Sequence, residues 1–269
     1  MACYHLHSEI IGRGHGKSAS AVSAYISGEK LRDIYEGGIY DRSHRQDVVH
    51  KEIMPPEAPD ELLDRQTLLN ALNRAEKRHD AQMVRSIDLA LPNELSFSEQ
   101  VALVEEFVQV NFIQYGLCAD IGIHQGKLDE DRKPASIEPV SERSDNCHAH
   151  IMIPFRPLDE SGFCSTKLQT RFMNRPSFLI ELRESWANLQ NREFERRRLS
   201  VKVSHKSLAA QGIDREPTKH LGAGTMALEL RGVQTDRGDM YREIIAHNRE
   251  REKVRERIKG RQRERGRGR

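Results

Sequence analysis

Four stretches of this chain read as strands from their apolar runs and alternation: residues 3–11, residues 84–91 stopped by Pro92, Cys118 to His124, and residues 147–155. Other stretches carry helical spacing. Small residues fill a predicted helix from Ser18 to Leu31, entered through the glycine-rich turn Gly12-Arg-Gly-His-Gly16. Pro55, Pro56 and Pro59 precede a predicted helix from about Asp60 to Arg78. Ser96-Phe-Ser-Glu99 has capping-box form and opens a helix to about Tyr115, with Phe97, Val101, Val104 and Val108 at helical spacing and Gly116 at its end. The only tryptophan, Trp186, lies in a helix from about Ser177 to Arg198, and a strongly charged helix runs from about Gly238 toward the C-terminus. Residues 32–51, 127–144 and 201–224 show no such regularity and read as loop, the first with room for a short hairpin. The polar loop between the third and fourth strands holds no helix, which suits antiparallel neighbours. The fold class that follows is α+β, an antiparallel sheet with helices packed mainly on one face.

Composition narrows the class. With 37% apolar and 31% charged residues, the chain suits a soluble protein with much solvated helical surface. No apolar run reaches membrane-span length, and the N-terminus lacks the succession of a signal peptide, so the expected location is cytoplasmic. Cysteines 3, 118, 147 and 164 have no Cys-x-x-Cys spacing, which argues against a structural zinc site and for reduced thiols. The net charge of +2 conceals an asymmetry: residues 247–269 carry a net +7, leaving −5 on the rest. A basic tail of this kind either contacts phosphates or is a solvated helix.

Candidate chemistry starts at His148-Ala149-His150. On a strand the two imidazoles point the same way and can take adjacent positions on one metal ion, while Cys147, Ala149, Ile151 and Ile153 point into a core. In Asp120-Ile-Gly-Ile-His124 alternation puts Asp120, Gly122 and His124 on one face, so pairing of the two strands offers a third imidazole, with Gly122 leaving room beside it. Three neutral ligands leave coordination positions open, as a catalytic cation needs. His5-Leu6-His7 competes on spacing alone. Tyr25 lies mid-helix on a face with Ser18, Ala21, Val22, Gly28 and Glu29, small enough on the whole for a polymer backbone to reach the phenol, although a helix tyrosine also serves simply in packing. Gly12 to Ser18 fails as a nucleotide-binding P-loop because Ile11 stands where the first glycine must be.

Together these pieces resemble the MobA/MobL relaxases of the HUH endonuclease superfamily. The resemblance rests on the opening Met1-Ala-Cys-Tyr-His-Leu6, on Gly16 to Leu31 with Tyr25 in the tyrosine position, on Glu76 to Gln82, Ile87 to Pro92, Asp120 to His124 and Asn146 to Met152, and on a closing block of Ser204 to Leu208, Gln211 to Ile213, Pro217 and His220 to Gly222. Cys147 stands where the family usually has proline, and Ser86 occupies an often acidic position, leaving Asp88 as the acid of its strand. The similarity runs over residues 1–225, implying a nicking domain there and a basic helical extension over 226–269.

The resemblance implies a palm-like HUH fold and metal-dependent nicking of one DNA strand at a plasmid origin of transfer. Tyr25 would be the nucleophile, giving a 5′-phosphotyrosine and a free 3′-hydroxyl; His124, His148 and His150 would hold a divalent cation, Mg²⁺ or Mn²⁺. Asp120, on the His124 face, is the preferred proton acceptor or histidine orienter, with Asp88 as the alternative. Arg13, Lys17, Arg32, Arg42 and Arg45 are candidate DNA contacts, and Tyr35 and Tyr40 candidates for stacking on unpaired bases. Expected partners are single-stranded origin DNA, accessory relaxosome proteins and a coupling protein. Two other classes fit some of the same residues: a non-catalytic origin-binding or replication-initiation module, and a zinc hydrolase using the same histidines.

Overall fold

The computed structural model describes residues 4–45, 48–124, 147–219 and 221–267. The loop expected at 127–144, the start of the first expected strand and His220 lie outside them.

In chain order the elements are β1 (Leu6–Gly12), α1 (Ala19–Ser27), β2 (Lys30–Arg32), β3 (Ile39–Asp41), β4 (Val48–Ile53), α2 (Arg65–Ala75), β5 (Gln82–Ala90), α3 (Phe97–Asn111), β6 (Ala119–His124), β7 (His148–Pro154), β8 (Leu158–Asp159), β9 (Gly162–Phe163), α4 (Pro176–Arg196), α5 (Ala223–Leu230) and α6 (Asp236–Arg267). Five of the strands form one sheet in the order β1-β5-β7-β6-β4, antiparallel at every junction. The expected neighbours β6 and β7 pair directly, with His124 opposite His148 and Gly122 opposite His150.

Alternation along these strands separates two faces. One carries Ile87 and Leu89 of β5, Ile121 and Ile123 of β6, and Ala149, Ile151 and Ile153 of β7 into the largest core, which α3 closes with Leu103, Val104 and Phe107 and α4 with Phe178, Leu182 and Trp186. The capping box at Ser96 and Glu99 is formed. The other face carries the polar residues and is crossed by α1, whose Ala24 and Ile26 pack with Leu69, Leu72, Val84 and Met152 in a second, smaller core. The two long helices thus share one face, while the shorter α1 and α2 contribute to the core on the other.

Three local expectations are corrected. The first helix ends at Ser27 rather than Leu31, because Gly28 adopts φ +70° and its N–H returns to the Ala24 carbonyl. The short hairpin allowed for in 32–51 is present as β2 and β3, but β4, whose half-exposed residues hide its period, is a strand where loop was expected and completes the sheet edge against β6. Helix α5 begins at the end of the aperiodic stretch and runs past it to Leu230, where no element was expected. By its contacts the chain divides into two compact units, the first running through His205 and the second containing residues from Lys206 onward. In the second unit Glu229 of α5 binds Arg242 and Thr235, and α6 is exposed along most of its length. No described helix is long and apolar enough to cross a membrane.

Candidate metal centre and nucleophile

The site lies on the polar face of the sheet, where β6 and β7 run side by side beneath α1. Ser18 caps α1, its hydroxyl oxygen accepting from the Ser20 and Ala21 amides while its proton goes to Asp33 Oδ2 at 2.5 Å. The small face of the helix, Ser20, Ser23 and Ala24, is fully buried. That smallness lets the helix backbone approach the sheet at Gly122, where a Cβ would fall on the Ile26 carbonyl oxygen. The space beside Gly122 therefore holds the helix itself, and Tyr25 is left 41% exposed above the histidines.

Among the described residues, His124, His148 and His150 form the cluster suited to a metal, with one ligand atom from each lying within 4.8 Å of the others. The Tyr25 ring meets the His124 ring at 5.3 Å and the His150 ring at 5.1 Å, edge on. Strand register thus joins three residues from two sequence blocks and helix packing supplies the fourth. His7, on edge strand β1, and His5, just before it, are not in the cluster; His7 pairs in register with Asp88.

Two observations test whether the imidazoles fit a cation. The Nε2 atoms of His124 and His150 are both buried without a hydrogen-bond partner, an arrangement a bound ion would complete. Asp88 Oδ1 accepts from His150 Nδ1 at 2.5 Å, which leaves the lone pair of that ring on Nε2. Burial alone would raise the Asp88 carboxyl, but its bond to His150 and the nearby positive charge prevail and lower it. His124 is pushed down to about 4 by burial first, then by His150, Arg45 and His148, and so stays neutral. Arg45 Nη2 donates to His124 Nδ1 at 3.1 Å, which puts the neutral ring's proton on Nε2; a cation there requires Arg45 to turn away. The donor set, three imidazoles with one oriented by a carboxylate, suits a divalent ion with open positions.

The other expected site residues separate. Asp120 is 1% exposed and fully engaged: Ser23 Oγ donates to its Oδ2 at 2.6 Å, and Arg65 Nη2 donates to its Oδ1 at 3.0 Å. It is Asp88, not Asp120, that the structure brings against a histidine of the cluster. Of the five basic candidates, Arg45 stands beside Tyr25, its guanidinium 4.8 Å from the ring centre. Arg13 bonds Asn73 and stacks over Tyr35 at 3.5 Å, Lys17 pairs with Glu9 at 2.7 Å, and Arg32 and Arg42 are exposed around the β2–β3 hairpin. Tyr35 is exposed, and Tyr40 donates to Glu36. Sequence reasoning missed Arg65 and Ser23. Ser23 is one of several small residues on α1, and nothing in the pattern around Arg65 marks it apart from other helix-start arginines.

An antiparallel sheet presenting this cluster to a helix tyrosine has the fold of the conjugative mobilisation relaxases. The chain belongs to the MobA/MobL family, whose pattern matches residues 17–231. It is 28% identical over 252 residues to the mobilization protein MobL of Acidithiobacillus ferridurans, covering 88% of this chain and 66% of that protein. It is 29% identical over 263 residues to the conjugal transfer protein TraA of Agrobacterium fabrum, covering 87% of this chain but 22% of TraA. A solved structure described as the molecular basis of vancomycin resistance transfer in Staphylococcus aureus superposes with a TM-score of 0.63 at 29% identity, over 76% of this chain and 98% of that one. The chain thus spans less than two thirds of the curated relatives it matches here.

Proposed function

We propose that this chain nicks one strand of DNA at a plasmid origin of transfer, with Tyr25 as nucleophile and a divalent cation, Mg²⁺ or Mn²⁺, held by His124, His148 and His150. The observation that carries the reading is the Tyr25 ring standing 5.1 to 5.3 Å from two of three clustered imidazoles. When bound, the cation supplies Lewis-acid polarisation of the scissile phosphate.

The residues do the rest. The Tyr25 oxygen attacks phosphorus in line; an oxygen–phosphorus bond to the tyrosine forms, the bond from phosphorus to the 3′-oxygen breaks, and that oxygen leaves and takes up a proton as a 3′-hydroxyl. The phosphodiester energy stays in the 5′-phosphotyrosine, so reversal rejoins the strand. A free phenol, with a pKa near ~10, needs help to ionise, which is the task of the cation when bound. Asp88 holds His150 in the orientation that aims Nε2 at the cluster. Asp88 is thus favoured over Asp120 as the orienting acid. Single-stranded DNA approaches the exposed side of Tyr25 beside the β2–β3 hairpin, where Arg13, Arg32 and Arg42 meet phosphates and Tyr35 offers a stacking surface. Lys17 joins them by leaving Glu9. Accessory relaxosome proteins and a coupling protein complete the assembly, and the chain works in the cytoplasm.

The test is a denaturing gel after incubation with Mn²⁺ and 3′-labelled single-stranded oligonucleotides tiled across the replicon that encodes the protein. The wild type is expected to give a metal-dependent covalent band and Tyr25→Phe none. DNA binding without any band would favour an origin-binding module. Cleavage surviving Tyr25→Phe would favour a histidine-metal hydrolase.

A further inference from the structure

A buried polar network beside the site plays no part in the chemistry just described. Its hub is Arg65, the first residue of α2, 5% exposed although it bears a full charge. Its Nη2 and Nε donate to Asp120 on β6, at 3.0 Å and 3.3 Å. Its Nη1 donates to Glu29 Oε1 at 2.5 Å, and Glu52 of β4 pairs with Nη2 as well. Asp120 in turn takes the proton of Ser23 Oγ at 2.6 Å. A buried guanidinium that meets three carboxylates is costly to desolvate and is weak evidence for stability, so its retention calls for another reason.

The two points it reaches on the nucleophile segment supply that reason. Ser23 lies two residues before Tyr25, within α1. Glu29 lies four residues after it, just past the turn at Gly28. We infer that the network Ser23–Asp120–Arg65–Glu29 pins the Tyr25 segment at both ends, and that it sets the position of the phenol over the three histidines. Asp120 is then a positioning residue. A planar guanidinium holds carboxylates from different elements in a fixed fork geometry that a flexible ammonium does not reproduce. The third constraint is the contact of the Ile26 carbonyl with the bare face of Gly122.

The inference rests on the nicking reading above, and one experiment separates the two. Ser23→Ala and Arg65→Lys are made in the full chain, with the exposed Ser98→Ala as a control away from the network. Folding is checked by circular dichroism, Mn²⁺ affinity by calorimetry, and amide exchange is followed over residues 23–29 and over β7. The expected result is faster exchange of 23–29 in both variants, with β7 exchange and Mn²⁺ affinity unchanged. A displacement of about 1 Å at a reacting group costs on the order of 10²-fold in rate. The single-turnover rate of adduct formation at saturating oligonucleotide and Mn²⁺ should therefore fall about 10-fold in Ser23→Ala and about 100-fold in Arg65→Lys. The pH profile should keep its shape, and Ser98→Ala should keep the wild-type rate. Unchanged exchange over 23–29 overturns the inference, as does an unchanged adduct rate in folded Arg65→Lys. A parallel loss of Mn²⁺ affinity would show that the network holds the histidines instead, and a displaced pH profile in Asp120→Asn would make that carboxylate a proton acceptor; either overturns it. If the wild type forms no adduct at all, the nicking reading falls, and amide exchange still decides whether the segment is pinned.

Discussion

The two faces of β7 differ residue by residue. Ala149, Ile151 and Ile153 are fully buried between the sheet and the long helices α3 and α4. His148 and His150, in alternate positions of the same strand, face the opposite way, toward Tyr25 and His124. The apolar face is closed by bulky side chains that exclude water and fix the strands. The polar face is approached by a helix of small residues that covers His124 and leaves His148 and His150 partly exposed. The rigidity of the first face lets the second hold the Nε2 atoms of His124 and His150 in place, because each position is set by a neighbour locked in the core.

Substitutions on alternate residues of β7 should therefore fail in different ways. The largest effect is expected from His148→Ala combined with His150→Ala: loss of measurable Mn²⁺ binding by calorimetry and of metal-dependent adduct formation, with little change in thermal midpoint. Ile151→Ala, one residue away on the other face, should cost about 2–5 kcal/mol in urea unfolding while the protein that remains folded binds Mn²⁺ normally. If the double histidine variant instead unfolds, the faces are not functionally separate.

Smaller effects sharpen the picture. Gly122→Ala should force α1 away from the sheet, costing about 1–3 kcal/mol and slowing adduct formation beyond the loss of folded protein; a silent substitution would show that the helix has slack. Asp88→Asn should weaken Mn²⁺ binding by about 10- to 100-fold. A further effect is on pH dependence without metal. The unfolded chain protonates His124 near its ordinary 6.5, whereas the folded protein resists protonation until about 4. Between these values the unfolded state binds the extra proton, so stability rises with pH there and is lost as pH falls from about 6.5 toward 4. The Asp88 carboxyl, lowered in the fold, acts in the same direction. Thermal melts in EDTA from pH 7 to pH 4 should show this decline; a flat profile would mean that His124 is not held neutral.

Much of this was legible in the sequence because strand alternation is a local signal. Asp120-x-Gly-x-His124 and His148-x-His150 assign their side chains to a face without further information, and the lack of a helical pattern in the sequence between them suggests antiparallel strands. The choice between the two His-x-His pairs came from the resemblance, since spacing is identical in both. What could not be read depended on contacts between distant segments. Asp120 shares the His124 face, which made it the natural proton acceptor. Only the packing of α1 and α2 shows its oxygens committed to Ser23 and Arg65, and only the β5–β7 register brings Asp88 opposite His150. Edge strand β4 was hidden for a related reason: it has a polar, half-exposed sequence and takes its identity from pairing with β6.

The central claim, that the polar face of one sheet carries both cation and nucleophile, is tested most directly by mapping the adduct. The wild-type chain is incubated with Mn²⁺ and the tiled single-stranded oligonucleotides, trimmed with nuclease, digested and analysed by mass spectrometry. The account predicts a nucleotide 5′-phosphate linked to Tyr25, absent when Mn²⁺ is withheld. A nucleotide on any other residue, or the same adduct formed in EDTA, would contradict it.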